Sequence, residues 1–509
     1  MKKLQLFAIL ILAGILRFYN NTAVSLWHDE AFSALYISKY GWNEMMHRII
    51  LDVHPPLYYI LLRLWNYVFG HGLLSLRSLS IVLGILTVWA GYLFVKQALS
   101  GKTGINNEKW ALVAALLLAV NPFQIQYALE ARMYTLGTFL VLISSYLLLK
   151  ALETNQTKYW IWYGITVAAG AYTHYFLLFS LVAQALYFIY YVLSTYKLNF
   201  FKQSNFLKGV GAYILSVILY IPWIPSFIEQ NTRVTGGYWI TPPDRWSVPG
   251  TIWKMGFGGE GINRPTLAVA TVVTVILILF FLRKTPPKSK WLIFLGLTVP
   301  FAAAIGLSFK QAIYLDRYFV FASLFFSILV GLAFLGFSRP AWRRIFVSLL
   351  VIFSLVAFFK NWQKLDVKNM VFNRNVNKKP GMAKAAELIN ERALPNHKIY
   401  VGSSFIFFTF QYYNQTNIKP LLLSSEPVEN IPHFAGTAIL TNDDLQITQN
   451  GLVPDEAVEQ NDSVWLLWTT GFGGSKPNVP GNWNEVEEHE FQDTPGFKGK
   501  IVVTQYHVR

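Results

Sequence analysis

The 509-residue chain reads as a polytopic α-helical membrane protein with a soluble α/β domain at its C-terminal end. Three observations predict that architecture. Hydrophobic residues make up 54% of the sequence and charged residues 14%, where a soluble protein carries about a quarter charged. Apolar runs of spanning length, or slightly short of it, recur near 4–20, 77–96, 110–126, 133–151, 159–173, 175–195, 209–228, 266–282, 291–308, 317–337 and 345–360, which makes about eleven transmembrane helices. Beyond residue 361 the pattern changes to short alternating runs, and most of the acidic residues gather there.

The first helix is expected to be retained. Lys2 and Lys3 precede the apolar run FAILILAGIL, as in a signal peptide, but no small-residue cleavage site follows. The formal net charge of +16 is a topology signal and does not call for nucleic acid as a partner. Its lysines and arginines cluster in every second link, at Lys96, Lys102 and Lys109, at Lys197, Lys202 and Lys208, and at Arg339, Arg343 and Arg344. That alternation follows the positive-inside rule. It places the N-terminus in the cytoplasm and, with an odd number of spans, the C-terminal domain outside an inner (plasma) membrane. The absence of cysteine excludes disulfides, thiolate metal ligands and cysteine nucleophiles.

Two external loops are long. In 21–76, AFSALYISKYGWNEMMHRII and PLYYILLRLWNYVFG have helical spacing with one apolar face and are expected as surface helices. The loop at 229–265 is rich in Gly, Pro and Trp and reads as a flap with aromatic anchors. The sequence thus divides into a membrane domain, 1–360, and an extracytoplasmic domain, 361–509. In the second, GMAKAAELINERAL reads as a helix, and HKIYVGSS, GTAILT, SVWLLWTT and KIVVTQYHV read as strands. No P-loop or H-E-x-x-H motif is present.

The candidate site residues come from distant parts of the chain but share the external face. Asp29 and Glu30 leave the first helix side by side, next to His28. The plainer account is that they complement a helix N-terminus, which accommodates one carboxylate better than two. The functional account makes Asp29 a general base toward an acceptor hydroxyl, with Glu30 orienting the acceptor or holding a cation. In LDVHPPLYY, two prolines fix a turn before a helix, and Asp52 and His54 flank it. The polar insert NPFQIQYALEARMYTL supplies Glu130, Arg132 and Tyr134. Arg317, in YLDRYF, opposes a helix macrodipole unless an anion sits beside it. Arg77 fits either a phosphate contact or a snorkelling flank. Arginines supply bidentate donors suited to phosphate. Asp29, Glu30 and His54 have the chemistry for a divalent cation, but their spacing specifies none, and no cofactor is assigned.

The Asp-Glu pair after the first helix, HPPLYY, LRSLS and NPFQIQYALEARMY resemble the bacterial members of glycosyltransferase family 39. These are similar to protein O-mannosyltransferases and to the transferases that put aminoarabinose on lipid A. The resemblance covers roughly 1–360 and implies the GT-C fold. It implies inverting transfer of a sugar from a polyprenyl-phosphate donor to a glycan, lipid or protein acceptor, at a cavity on the external membrane face. It also implies Asp29 as base, with Glu30 and His54 matching family positions. The sequence lacks the lectin-like insert of the protein mannosyltransferases, which argues against a protein acceptor. A transporter or flippase of lipid-linked sugars is the competing reading, although it would place charge or broken helices at mid-membrane. A wall-binding scaffold is a third.

Overall fold

The computed structural model describes all residues except 1, 20, 102–105, 236–238, 260–262, 286–288, 364–380, 454–457, 472–473 and 493–498. They form two compact units. The first comprises Met1–Tyr19, His54–Leu61 and Arg77–Asn361; the second comprises Asn20–Val53, Leu62–Leu76 and Trp362–Arg509. Composition placed the boundary at 361; the second unit takes in much of the first external loop as well as the tail.

In chain order the helices are α1 (Lys2–Phe18), α2 (His28–Lys39), α3 (Trp42–Leu51), α4 (Leu57–Phe69), α5 (Leu73–Ala98), α6 (Asn107–Val120), α7 (Pro122–Ala128), α8 (Tyr134–Thr154) and α9 (Thr157–Ala171). There follow α10 (Leu177–Tyr196), α11 (Ser204–Tyr220), α12 (Ile224–Thr235), α13 (Ser247–Phe257), α14 (Arg264–Lys284), α15 (Lys290–Ser308), α16 (Val320–Ala333) and α17 (Pro340–Gln363). Among the described residues eight helices are long and apolar enough to cross a membrane, or nine if the bent pair α6–α7 is one span. Eleven were expected from the apolar runs; α1 and α9, at 17 and 15 residues, are the short members.

Small residues let helices of the first unit approach closely. A Cβ on Gly164 of α9 would lie 2.6 Å from the Ala212 carbonyl of α11, and one on Gly296 of α15 would lie 2.5 Å from the Phe325 ring of α16. Buried polar side chains tie other pairs. Gln184 of α10 donates to the hydroxyls of Ser144 and Ser145 on α8 at 2.8 and 3.0 Å.

The first long loop, 21–76, is helical, with one correction. The stretch AFSALYISKYGWNEMMHRII breaks into α2 and α3, because Tyr40 and Gly41 both take extended backbone. The loop at 229–265 is more ordered than a flap: α12 runs into it, and α13 occupies its second half. Its TGG (235–237) and EGI (260–262) stretches fall largely outside the described residues.

The second unit contains α18 (Gly381–Arg392), α19 (Ser404–Tyr413) and a sheet of β1 (Lys398–Val401), β2 (Leu421–Ser424), β3 (Leu445–Ile447), β4 (Ser463–Thr469), β5 (Trp483–Gln492) and β6 (Lys500–Val508). The strand order is β3-β2-β1-β4-β6-β5, parallel from β3 to β4 and antiparallel thereafter. The run GTAILT, expected as a strand, is a turn. Gly436 there sits at φ +90°, and Ala438, Ile439 and Leu440 are buried in succession with no period-two alternation. The strand lies a few residues later, at β3. The highly charged β5 escaped sequence reading because its glutamates hide the pattern.

Candidate active site

In the helical unit, the polar insert between α6 and α8 is built by its own first residues. The Asn121 side chain accepts the Gln124 N–H at 2.9 Å and so caps α7. Pro122, at the first helical position, has the φ such a start requires. Asn121 also donates to the Met255 carbonyl at 2.8 Å and to Ser327 at 3.1 Å. Gln124 donates to the Val320 carbonyl at 2.9 Å and to Ser323 at 2.7 Å. These bonds fix α7 at a bend of 59° from α6.

The bend leaves carbonyls without helical donors, since Pro122 has no N–H to offer Leu118. Arg17 of α1, 1% exposed, takes that place. Its guanidinium donates to the carbonyls of Leu118, Ala119 and Ala13 at 3.3, 2.9 and 3.2 Å. Gly84 of α5 makes room for it: a Cβ there would stand 3.0 Å from Arg17 Nε.

The chain then turns through 129–133, carrying Glu130 and Arg132. Arg132 is 3% exposed. Its Nη1 donates to the Tyr59 hydroxyl at 3.3 Å, and its Nη2 lies 3.4 Å from His54 Nε2. A guanidinium can only donate, so His54 accepts at Nε2 and carries its proton on Nδ1. Ser80 fixes the turn by donating to the Arg132 carbonyl at 3.2 Å, and it pairs with the Tyr58 hydroxyl at 3.0 Å. The HPP turn is held as firmly. Pro55 and Pro56 are buried, the Leu57 N–H donates to the Tyr172 carbonyl at 3.0 Å, and Gln230 donates to the His54 carbonyl at 3.3 Å.

His174, in the turn between α9 and α10, lies at the meeting point of these groups. Its ring centroid is 5.8 Å from His54, 6.0 Å from Tyr134 and 5.0 Å from Tyr318. Burial pushes its pKa well below the usual histidine range, and His54, Arg132 and Arg317 push it the same way. It is therefore neutral. Arg317 sits in a single 3-10 turn, with its guanidinium 5.6 Å from the Trp239 ring. Asp316 stands next to it; its carboxylate accepts the Arg317 backbone N–H at 2.8 Å and also pairs with Lys254.

Five of the expected residues thus gather within the helical unit: His54, Glu130, Arg132, Tyr134 and Arg317. Glu130 shares the turn with Arg132, whose N–H donates to the Glu130 carbonyl at 2.8 Å. Arg77 of α5 is 1% exposed, which rules out its snorkelling account. Asp29, Glu30 and Asp52 belong to the second unit. Asp29 and Glu30 occupy the first turn of α2, where the macrodipole favours them. Asp52 closes α3, its N–H donating to the Arg48 and Ile49 carbonyls. The His28 ring packs 5.4 Å from both Phe405 and Phe408 of α19. Among the described residues no group of three or more His, Asp or Glu could hold a metal ion.

Sequence reasoning missed Arg17, Tyr59 and His174. Arg17 looks like an ordinary flanking arginine, and nothing in its neighbours says which carbonyls it will meet. His174 carried a signal: a polar THY inside an otherwise apolar hairpin.

Residues 53–224 match the family model for dolichyl-phosphate-mannose-protein mannosyltransferase. No curated protein matches the whole sequence. The fold is that of ArnT from Cupriavidus metallidurans. The crystal structure of ArnT bound to undecaprenyl phosphate has a TM-score of 0.59 at 12% identity, covering 98% of this chain and 97% of that one. Its apo structure gives 0.61 at 11% identity, with the same coverage. The apo oligosaccharyltransferase of Archaeoglobus fulgidus gives 0.50 at 12% identity, over 82% of this chain and 65% of that one. The chain therefore shares its fold, a bundle of apolar helices followed by a sheet domain, with these solved structures.

Proposed function

We propose that this chain is an integral membrane glycosyltransferase that moves a sugar from a polyprenyl-phosphate carrier to an acceptor hydroxyl at the extracytoplasmic face. The observation that carries the reading is the buried cationic cluster around Arg132. It lies in the segment that matches the mannosyltransferase model, and the chain shares its fold with a protein crystallised with undecaprenyl phosphate. A buried guanidinium with tyrosine and histidine beside it is suited to a phosphate monoester or diester. A structural arginine satisfied by neutral partners is the plainer alternative.

In the proposed reaction Asp29 takes the proton of the acceptor hydroxyl as its oxygen attacks the anomeric carbon. The bond from that carbon to the carrier phosphate breaks, and its electron pair leaves with the phosphate. Attack from the face opposite the leaving group inverts the anomeric configuration. The departing polyprenyl phosphate is a stable anion, so no acid is needed to protonate it. Arg132 and Arg317 stabilise the charge that develops on it. Glu30 orients the acceptor. The positive-inside pattern supports a cytoplasmic N-terminus and an external second unit.

Asp29→Asn tests the reading. Membranes carrying the variant, assayed with a radiolabelled lipid-linked sugar, are expected to lose at least ~100-fold in transfer, the scale of a general base. Donor binding should be retained. Turnover close to wild type would remove Asp29 from the mechanism, and it would favour the transporter reading if labelled lipid still crossed the membrane.

A further inference from the structure

We propose that His174 is a donor to the carrier phosphate, supplying its Nε2–H to the anion that Arg132 binds; this rests on the glycosyltransferase reading above. The argument begins with the tautomer. Nδ1 of His174 accepts the Phe176 N–H at 3.1 Å, so in the neutral ring the proton sits on Nε2. Nε2 is buried, and the described structure gives it no hydrogen-bond partner. The residue as a whole is only 5% exposed. A buried donor left unsatisfied is costly and calls for an explanation.

Its surroundings say what would satisfy it. The charged and titratable groups near His174 are His54, Arg132 and Arg317, with the hydroxyl-bearing rings of Tyr134 and Tyr318. The charged groups that act on its ionisation all disfavour a positive ring. The site therefore wants an anion, and it already holds guanidinium donors that could share one. A phosphate oxygen accepts several bonds at once, so one group could take both Arg132 and His174.

The same geometry explains why a neutral histidine serves here. Another cation would add repulsion to a cluster that must stay folded before the substrate arrives. A neutral N–H contributes a bond without that cost.

The test measures binding of undecaprenyl phosphate to the full-length protein in nanodiscs, with inorganic phosphate as a control for the prenyl chain. His174→Ala is expected to weaken binding ~10-fold, as loss of one bond to a charged group does. His174→Gln, which keeps a donor near the Nε2 position, should stay within about threefold of wild type. In wild-type protein labelled with ¹⁵N-histidine, one Nε2 resonance should shift when the lipid phosphate is added and should be missing from the His174→Gln spectrum. If wild type binds the lipid and neither the resonance nor the alanine variant responds, His174 has no such role and the wider reading stands. If wild type does not bind undecaprenyl phosphate, the glycosyltransferase reading fails, and this inference with it. The resonance shift keeps the test decisive should His174→Ala misfold.

Discussion

On the sheet of the second unit, Lys476 reaches Glu485 and Glu488 at 2.8 and 2.7 Å, and Arg392 grips Glu487 with bonds of 2.7 and 2.8 Å. These groups are partly or largely exposed, and charge is answered by opposite charge. The helical unit treats Arg17 differently: it buries the guanidinium and bonds its two terminal nitrogens to backbone carbonyls. Arg132 donates to a tyrosine hydroxyl and a histidine ring nitrogen. The contrast follows from the surroundings. Water screens a surface ion pair and weakens it, so such pairs can be plentiful and cheap to lose. Inside a helical bundle a charge is expensive, and one that persists there has either a structural or a chemical task.

Arg17 and Arg132 represent those two tasks, and substitution should separate them. The largest effect on stability is expected at Arg17. Arg17→Ala leaves the Leu118 and Ala119 carbonyls without this donor, at a cost of about 3 kcal/mol. Thermal unfolding of the detergent-solubilised protein measures it, and Arg17→Lys should recover part of the loss. An unchanged melting temperature would show that the bend between α6 and α7 does not need this cap.

Arg132→Ala should do the converse. It is expected to weaken undecaprenyl phosphate binding by ~10–100-fold, the worth of charge-assisted bonds, while acceptor affinity changes little. Equal losses for donor and acceptor, measured by KM for each, would mean that Arg132 holds structure and not phosphate.

A smaller effect should appear in the second unit at His397. Burial holds its pKa below the usual histidine range, opposed by the charge of Asp462. Its Nδ1 accepts bonds from Trp465 Nε1 at 3.0 Å and from the Leu394 N–H at 3.2 Å, which a proton would break. The unfolded chain therefore binds more protons than the folded one once pH falls below the usual histidine range. Stability is full above that range and declines as pH falls through it. Tryptophan-monitored melts should drop by a few degrees between pH 7.5 and 5.5, and His397→Asn should shrink the drop.

The smallest effect belongs to Lys476. Lys476→Ala should cost under ~1 kcal/mol and become undetectable in high salt. A larger, salt-resistant loss would overturn the contrast between the two regions, since it would make an exposed pair behave as a buried one.

Much of the site was legible as local chemistry. HPP announces a turn and carries His54, and the polar insert after Asn121 and Pro122 carries Glu130, Arg132 and Tyr134. What did not show was the partner of each group. Asp316 gave no sign of its partner Lys254, because the two come together only when α13 packs beside the 3-10 turn. The packing of His28 did not show, because Phe405 and Phe408 are nearly four hundred residues away. The GTAILT turn looked like a strand because hydrophobic β-formers are ambiguous until burial is known.

By itself, the sequence determined a helical membrane body, a small α/β domain after it, and which residue types were available for chemistry. Those follow from composition and periodicity, which are properties of short stretches of chain. Only the tertiary structure decided that Arg17 would cap α6, that Arg132 would meet His54 and Tyr59, and that His174 would stand between them with a donor to spare. The reason is that a buried polar group is defined by its partners, and in this chain those partners lie tens to hundreds of residues apart.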